Sequence, residues 1–166
     1  MIRNLAAIAF AALAGCTAAA PGERAPAALP APAAQPAATR ILDPAAAERL
    51  RSNAGITLQW IDWKTRGTAA VRVDGGVWHL TGAQAEAGGP GRLFLDGTIA
   101  EIGKDYFTFD GTVRIADTPD RARRCEANKR WTFAVTQNRP YWRLREFEWC
   151  DGLTDYVDIY FPGTAP

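Results

Sequence analysis

From Ile56 to Phe161 the large apolar residues fall repeatedly on every second position, and that period constrains the fold more than any other feature. Ile56, Leu58 and Trp60 set the pattern. Val71/Val73, Leu93/Leu95, Phe107/Phe109, Val113/Ile115, Trp131/Phe133/Val135 and Val157/Ile159/Phe161 repeat it. Alternate side chains of an extended strand point to opposite faces, so each run presents one buried face built from β-branched and aromatic residues. After residue 55 no segment sustains a helical period, which disfavours a βαβ arrangement. The expected class is mainly β: an antiparallel β-barrel or β-sandwich of about eight to ten short strands with one short N-terminal helix.

The helix is predicted at residues 44–53, PAAAERLRSN. Asp43 can cap its free amides, Pro44 suits its first position, and Leu50 is its one large apolar residue. Asp96-Gly97-Thr98-Ile99 and Asp110-Gly111-Thr112-Val113, spaced fourteen residues apart, predict tight hairpin turns, because Asp-Gly readily adopts positive φ. Residues 81–91, TGAQAEAGGPG, predict a flexible surface connection; they lack the Lys-Ser/Thr ending of a phosphate-cradling loop.

The chain before this body has a different composition. Residues 17–40 hold eleven Ala and five Pro, one Leu and no aromatic residue, too little apolar surface to offset the entropy of ordering. They are expected to form a spacer. The opening stretch, MIRNLAAIAFAALAGC, has a positive start at Arg3, a short apolar run and Leu13-Ala14-Gly15-Cys16 directly after it. It resembles the signal peptide and lipobox of bacterial lipoproteins. That resemblance implies removal of residues 1–15, diacylglycerol and acylation at Cys16, and a lipid-anchored envelope protein. Thr17 fits outer-membrane sorting, with the body facing the periplasm. The expected organisation is a signal peptide at 1–15, a lipidated flexible tether at 16–40, one β-rich domain at 41–163 and a short tail at 164–166. No family motif is recognised within the globular domain.

With Cys16 assigned to lipid, Cys125 and Cys150 remain in an oxidising compartment and are expected to form a disulfide. Closing that loop is worth about 3.5 kcal/mol in the chain-entropy account. Removing residues 1–15 takes away Arg3 and leaves 18 basic against 18 acidic residues. That balance, with an envelope location, disfavours nucleic acid as a partner. Locally the charge is uneven: residues 121–145 carry a net +7 and residues 146–160 a net −5. Antiparallel strands would set these blocks against each other as a solvated ion-pair network. A functional reading adds Trp131, Gln137, Asn138, Tyr141 and Trp142 to the basic run and picks out Tyr141, Arg143 and Arg145, which share one strand parity, as the better recognition surface for an anionic envelope glycan or protein. Glu146 or Glu148 would be placed to neutralise it, while Trp142 and Leu144 take the opposite parity.

Catalytic signatures are sparse. His79 is the one histidine and reads as a packed or rim residue; Ser52 is the one serine, and no G-x-S-x-G elbow occurs. No metal or cofactor motif is evident. Asp96, Asp105, Asp110, Asp151, Asp155 and Asp158 leave a formal route to a carboxylate-pair hydrolase, although the first and third read as turn residues and the last two as solvent-facing. The sequence therefore leads to a non-catalytic envelope lipoprotein with a binding or structural β-domain. The alternatives are an inhibitor of an envelope-active hydrolase and a small carbohydrate-processing enzyme.

Overall fold

The structure, a computed structural model, describes residues 36–165. Strand β1 (Arg40–Ile41) and helix α1 (Pro44–Arg51) precede β2 (Ile56–Leu58), β3 (Thr68–Asp74), β4 (Val77–Ala85), β5 (Arg92–Ile102), β6 (Tyr106–Ala116), β7 (Arg124–Ala134), β8 (Tyr141–Leu144) and β9 (Val157–Tyr160). Strands β3 to β9 form an up-and-down antiparallel meander, and β2 pairs with β9 at its far edge. A two-bond bridge between Ile56 and Gly67, just ahead of β3, joins the two ends of this path into a near-closed barrel. The Gln84 side chain reinforces the seam, accepting from the Leu58 amide at 2.6 Å and donating to the carbonyls of Asp62 and Thr65.

Inward positions follow the alternation. Trp131, Trp142, Phe107, Phe109 and Phe133 are fully buried with Leu80, Leu95, Leu144 and Ile159, and Phe107 stacks on Phe133 at 4.8 Å. Helix α1 ends at Arg51, two residues short of the predicted stop. Asp43 caps it by accepting from the Ala46 amide at 2.7 Å, and Leu50 enters the core. Beyond the helix, Asn53 donates to the β3 carbonyl of Ala69, tying α1 to the barrel wall.

Three expectations need correction. Gly97 and Gly111 are not turn residues: they face each other across the middle of the eleven-residue strands β5 and β6. Their role is close approach. A Cβ on Gly111 would lie 2.4 Å from the Asp96 carbonyl and 2.6 Å from the Phe109 ring, and the Trp131 indole donates to the Gly111 carbonyl at 2.9 Å. Residues 81–85 belong to β4, not to a flexible connection, because Gln84 is buried and each has a partner on β5. The folded body also begins earlier than residue 41. Arg40 pairs with β5, and the Thr39 hydroxyl links the Ile99 carbonyl to the Trp78 amide.

Candidate anion-recognition cleft

The turn between β7 and β8 places Gln137 and Asn138 in succession at φ 54° and 53°. For a non-glycine residue that region is sparsely used, and a turn held there has a fixed shape. It carries Arg139, whose amide donates to the Thr136 carbonyl and whose guanidinium donates to the Tyr141 hydroxyl at 2.7 Å. Strand β8 then alternates Tyr141 and Arg143 outward with Trp142 and Leu144 inward. Arg145 follows, exposed, over the edge of Phe147. Thr136, Gln137, Arg139, Arg143, Arg145, Phe147 and Tyr156 line an open depression of about 420 Å³.

Arg143 stands at its centre. Its direct cross-strand partner on β9 is Asp158, and the guanidinium donates two 2.7 Å bonds to that carboxylate. Asp158 lies on the outward face of β9 yet is fully buried. Burial raises its pKa above the ordinary carboxylate value, outweighing the opposing pull of Arg143. The Arg143 guanidinium sits 4.0 Å from the Tyr156 ring centre, 5.2 Å from that of Tyr141 and 5.8 Å from that of Trp63. Trp63, on the loop after β2, remains 42% exposed. Arg139 and Arg145 flank this centre, and neither forms an ion pair among the described residues. Glu146 does not neutralise them; its carboxylate accepts from the Thr132 amide.

The cleft's outer wall, residues 147–156, is held from behind. Cys125 and Cys150 form the expected disulfide, with Cα atoms 5.9 Å apart. Beside it Arg123, 4% exposed at its side chain, donates to both oxygens of Asp151 and both of Asp155, with each bond between 2.8 and 2.9 Å. The Trp60 indole adds a bond to Asp155. Hydrogen bonding to Asp151 is the largest influence keeping Arg123 firmly protonated, and the same contact lowers the Asp151 pKa. The Asp155 amide donates to the Phe147 carbonyl, and the Phe147 and Tyr156 rings meet edge to face at 5.5 Å. Cys125, Cys150 and Asp151 also cluster within ligand distance of one another. Both sulfurs are spent in the disulfide, however, and Asp151 is bound to Arg123, so that donor set does not suit a metal ion.

Residues 38–161 match the family model of the PM1083 family. The chain belongs to the PM1083 family. It is 35% identical to "Uncharacterized protein PM1083" of Pasteurella multocida (strain Pm70) over 106 residues, which cover 63% of this chain and 68% of that relative. No solved structure matches. The finding corrects the expectation that the globular domain has no recognisable family.

Within this PM1083-family fold the sequence-predicted residues divide. Arg143 and Arg145 line the same depression, and Tyr141 stands beside it, its hydroxyl accepting from Arg143 at 3.3 Å. Arg143 is not a free surface cation, however: its side chain is 11% exposed and paired. Asp155 and Asp158, expected to face solvent, are fully buried because each accepts two arginine bonds. Asp110 is bound by Arg130 on β7. His79 faces outward on β4 opposite Arg72 and Thr98, partly covered. Cys16 lies outside the described residues. Trp63, Arg139, Phe147 and Tyr156 were not singled out for the patch. Only the double tryptophan at 60 and 63 hinted at one of them, since an aromatic in a polar loop has no inward face to fill.

Proposed function

We propose that this PM1083-family chain is a lipid-anchored envelope lipoprotein whose barrel binds an anionic partner, an acidic glycan in preference to a protein loop. The observation that carries the reading is the pair of unneutralised guanidiniums, Arg139 and Arg145, on either side of an arginine packed among aromatic faces. Guanidinium groups recognise carboxylate and phosphate through paired N–H donors. Tyr156 and the exposed Trp63 offer flat faces of the kind that cover a sugar ring, and Gln137 and Thr136 offer polar contacts at the rim. Arg143 positions this arrangement; its charge is already matched by Asp158. The anchor is carried by the lipobox resemblance at Cys16 and places the cleft within reach of envelope polymers.

The carboxylates support binding over turnover. Asp110, Asp151, Asp155 and Asp158 are each engaged by arginine. A hydrolytic pair needs one carboxyl free to give a proton and another free to attack or to activate water.

The test is a binding series with acidic and neutral envelope glycans against the wild-type chain and Arg139→Ala/Arg145→Ala. Both side chains lie outside the core, so the variant keeps the fold. Acidic glycans should bind more weakly as salt rises and lose about tenfold or more in affinity in the variant. Equal binding of the two proteins at low salt, or equal binding of neutral and acidic glycans, overturns the reading.

A further inference from the structure

A second concave surface lies elsewhere on the barrel wall, on the outer faces of β3 to β6. Two cross-strand rows build it. Thr68, Ala83, Phe94 and Arg114 are successive neighbours in one row; Ala85, Arg92 and Ala116 are successive neighbours in the next. Inward partners such as Gln84 and Leu93 are buried, whereas Ala83 and Ala85 are exposed. Outer positions of an antiparallel wall ordinarily carry polar side chains. Here three alanines and a phenylalanine lie between long arginines and leave a hollow of about 520 Å³, within the size range of small-ligand sites, about 300–1,000 Å³.

We propose that this hollow binds a single-chain amphiphile with an anionic head, its hydrocarbon on the alanine floor and its head between Arg92 and Arg114. The chemistry of the floor selects the chain. Strands β4 and β5 are paired on both sides, so they have no free backbone edge for an added peptide strand. The Gln84 amide is spent at the barrel seam, and the Arg66 guanidinium is turned to the carbonyls of Ala54 and Thr164. Hydroxyls occur only at Thr65 and Thr68, at one end of the lining. A sugar would leave its polar groups without partners there, at a desolvation cost that hydrocarbon avoids.

The rim selects the head. Arg92 forms no ion pair among the described residues, and its guanidinium rests on the carbonyls of Gly89 and Gly91. Arg114 stacks over Phe94 at 4.8 Å, and its one carboxylate neighbour, Glu126, is 3.8 Å away with both side chains about half exposed. Such a pair is weak and screened. The other nearby acid, Glu86, accepts from the Gly91 amide. An anionic head therefore meets two cations with little local competition.

The experiment uses the full chain carrying Cys16→Ser, so that no lipid on the chain itself competes. Dodecyl phosphate is titrated below its micelle concentration, with binding followed by amide chemical shifts and native mass spectrometry. Saturable one-to-one binding is expected, with the largest shifts at Ala83, Ala85 and Phe94. Ala83→Glu, which adds charge to the floor at an exposed site, should weaken it about tenfold or more. Arg92→Ala/Arg114→Ala should weaken it about tenfold at low salt. Inorganic phosphate alone should leave Ala83, Ala85 and Phe94 unshifted, and dodecyl maltoside should bind more weakly than dodecyl phosphate. Arg139→Ala/Arg145→Ala should leave the affinity unchanged, which separates this site from the cleft. Three results would each overturn the proposal: no saturable binding, equal binding of both detergents, or displacement by an acidic peptide that lacks a chain.

Discussion

Replacing Arg123 with Met removes the side chain that joins Asp151 and Asp155 behind the cleft wall. Asp155 is fully buried and accepts from two Arg123 nitrogens and the Trp60 indole. After the substitution only the indole remains, facing a carboxylate with no counter-charge. Breaking a buried pair from one side typically costs about 3–5 kcal/mol. Asp151, 41% exposed at its side chain, regains water, so its share of the loss is small. A loss of roughly 3–5 kcal/mol is a large share of the ~5–15 kcal/mol that ordinarily holds a domain folded. Urea unfolding at neutral pH, with the disulfide intact, measures it. Arg123→Met/Asp155→Leu removes both charges and should recover most of the loss, because the penalty belongs to the orphaned carboxylate. A single variant that loses less than about 1 kcal/mol, or a double variant no more stable than the single, would refute the reasoning.

Gly111→Ala should destabilise the barrel by about 1–3 kcal/mol, because its Cβ meets the Asp96 carbonyl and the Phe109 ring, and denaturant midpoints will show it. The two aspartates on either side of residues 152–157 should respond to pH with opposite signs. The raised pKa of Asp158 favours its neutral form in the fold, so its contribution is fully present below the unfolded pKa and is lost as pH rises through the folded pKa. The lowered pKa of Asp151 contributes stability above the unfolded value that is lost as pH falls through the folded one. Urea midpoints of Asp158→Asn and Asp151→Asn against wild type, from about pH 3 to pH 7, should therefore diverge from it in opposite directions. Mass analysis of the mature protein should find an N-terminus at lipidated Cys16 and one Cys125–Cys150 cross-link; an unmodified Cys16 within a chain cut elsewhere would remove the anchor.

Alternation was enough to sort Phe133, Trp142, Leu144, Val157 and Ile159 to the inside, since a strand's period is local and needs no knowledge of its neighbours; it also overrides the functional reading of Trp131, which is fully buried. The Asp-Gly pairs misled because glycine serves two purposes. It permits positive φ in turns, and it makes room where another group must come close. Only the register that sets Gly97 against Gly111, under Phe109, tells which purpose applies. The cleft was half legible for the same reason. Tyr141 and Arg143 share a face through local parity, but the pairing of Arg143 with Asp158 depends on a β8–β9 register set across a twelve-residue connection at 145–156. Trp63 reaches the cleft from a loop, where no periodicity reports direction. The separation of Arg123 from its two aspartates in sequence likewise concealed the clamp that the disulfide stands beside.

The central claim, that the barrel recognises an anionic partner at the cleft, is tested most directly by mapping where an acidic glycan binds. Proton–nitrogen correlation spectra of the chain titrated with an acidic envelope glycan would report the indole of Trp63 and the side chains of Arg139 and Arg145 together. The account predicts saturable shifts at those three groups, diminished by salt, with the buried Trp131 indole on the Gly111 carbonyl unmoved. Saturable binding that leaves Trp63, Arg139 and Arg145 unshifted would contradict it.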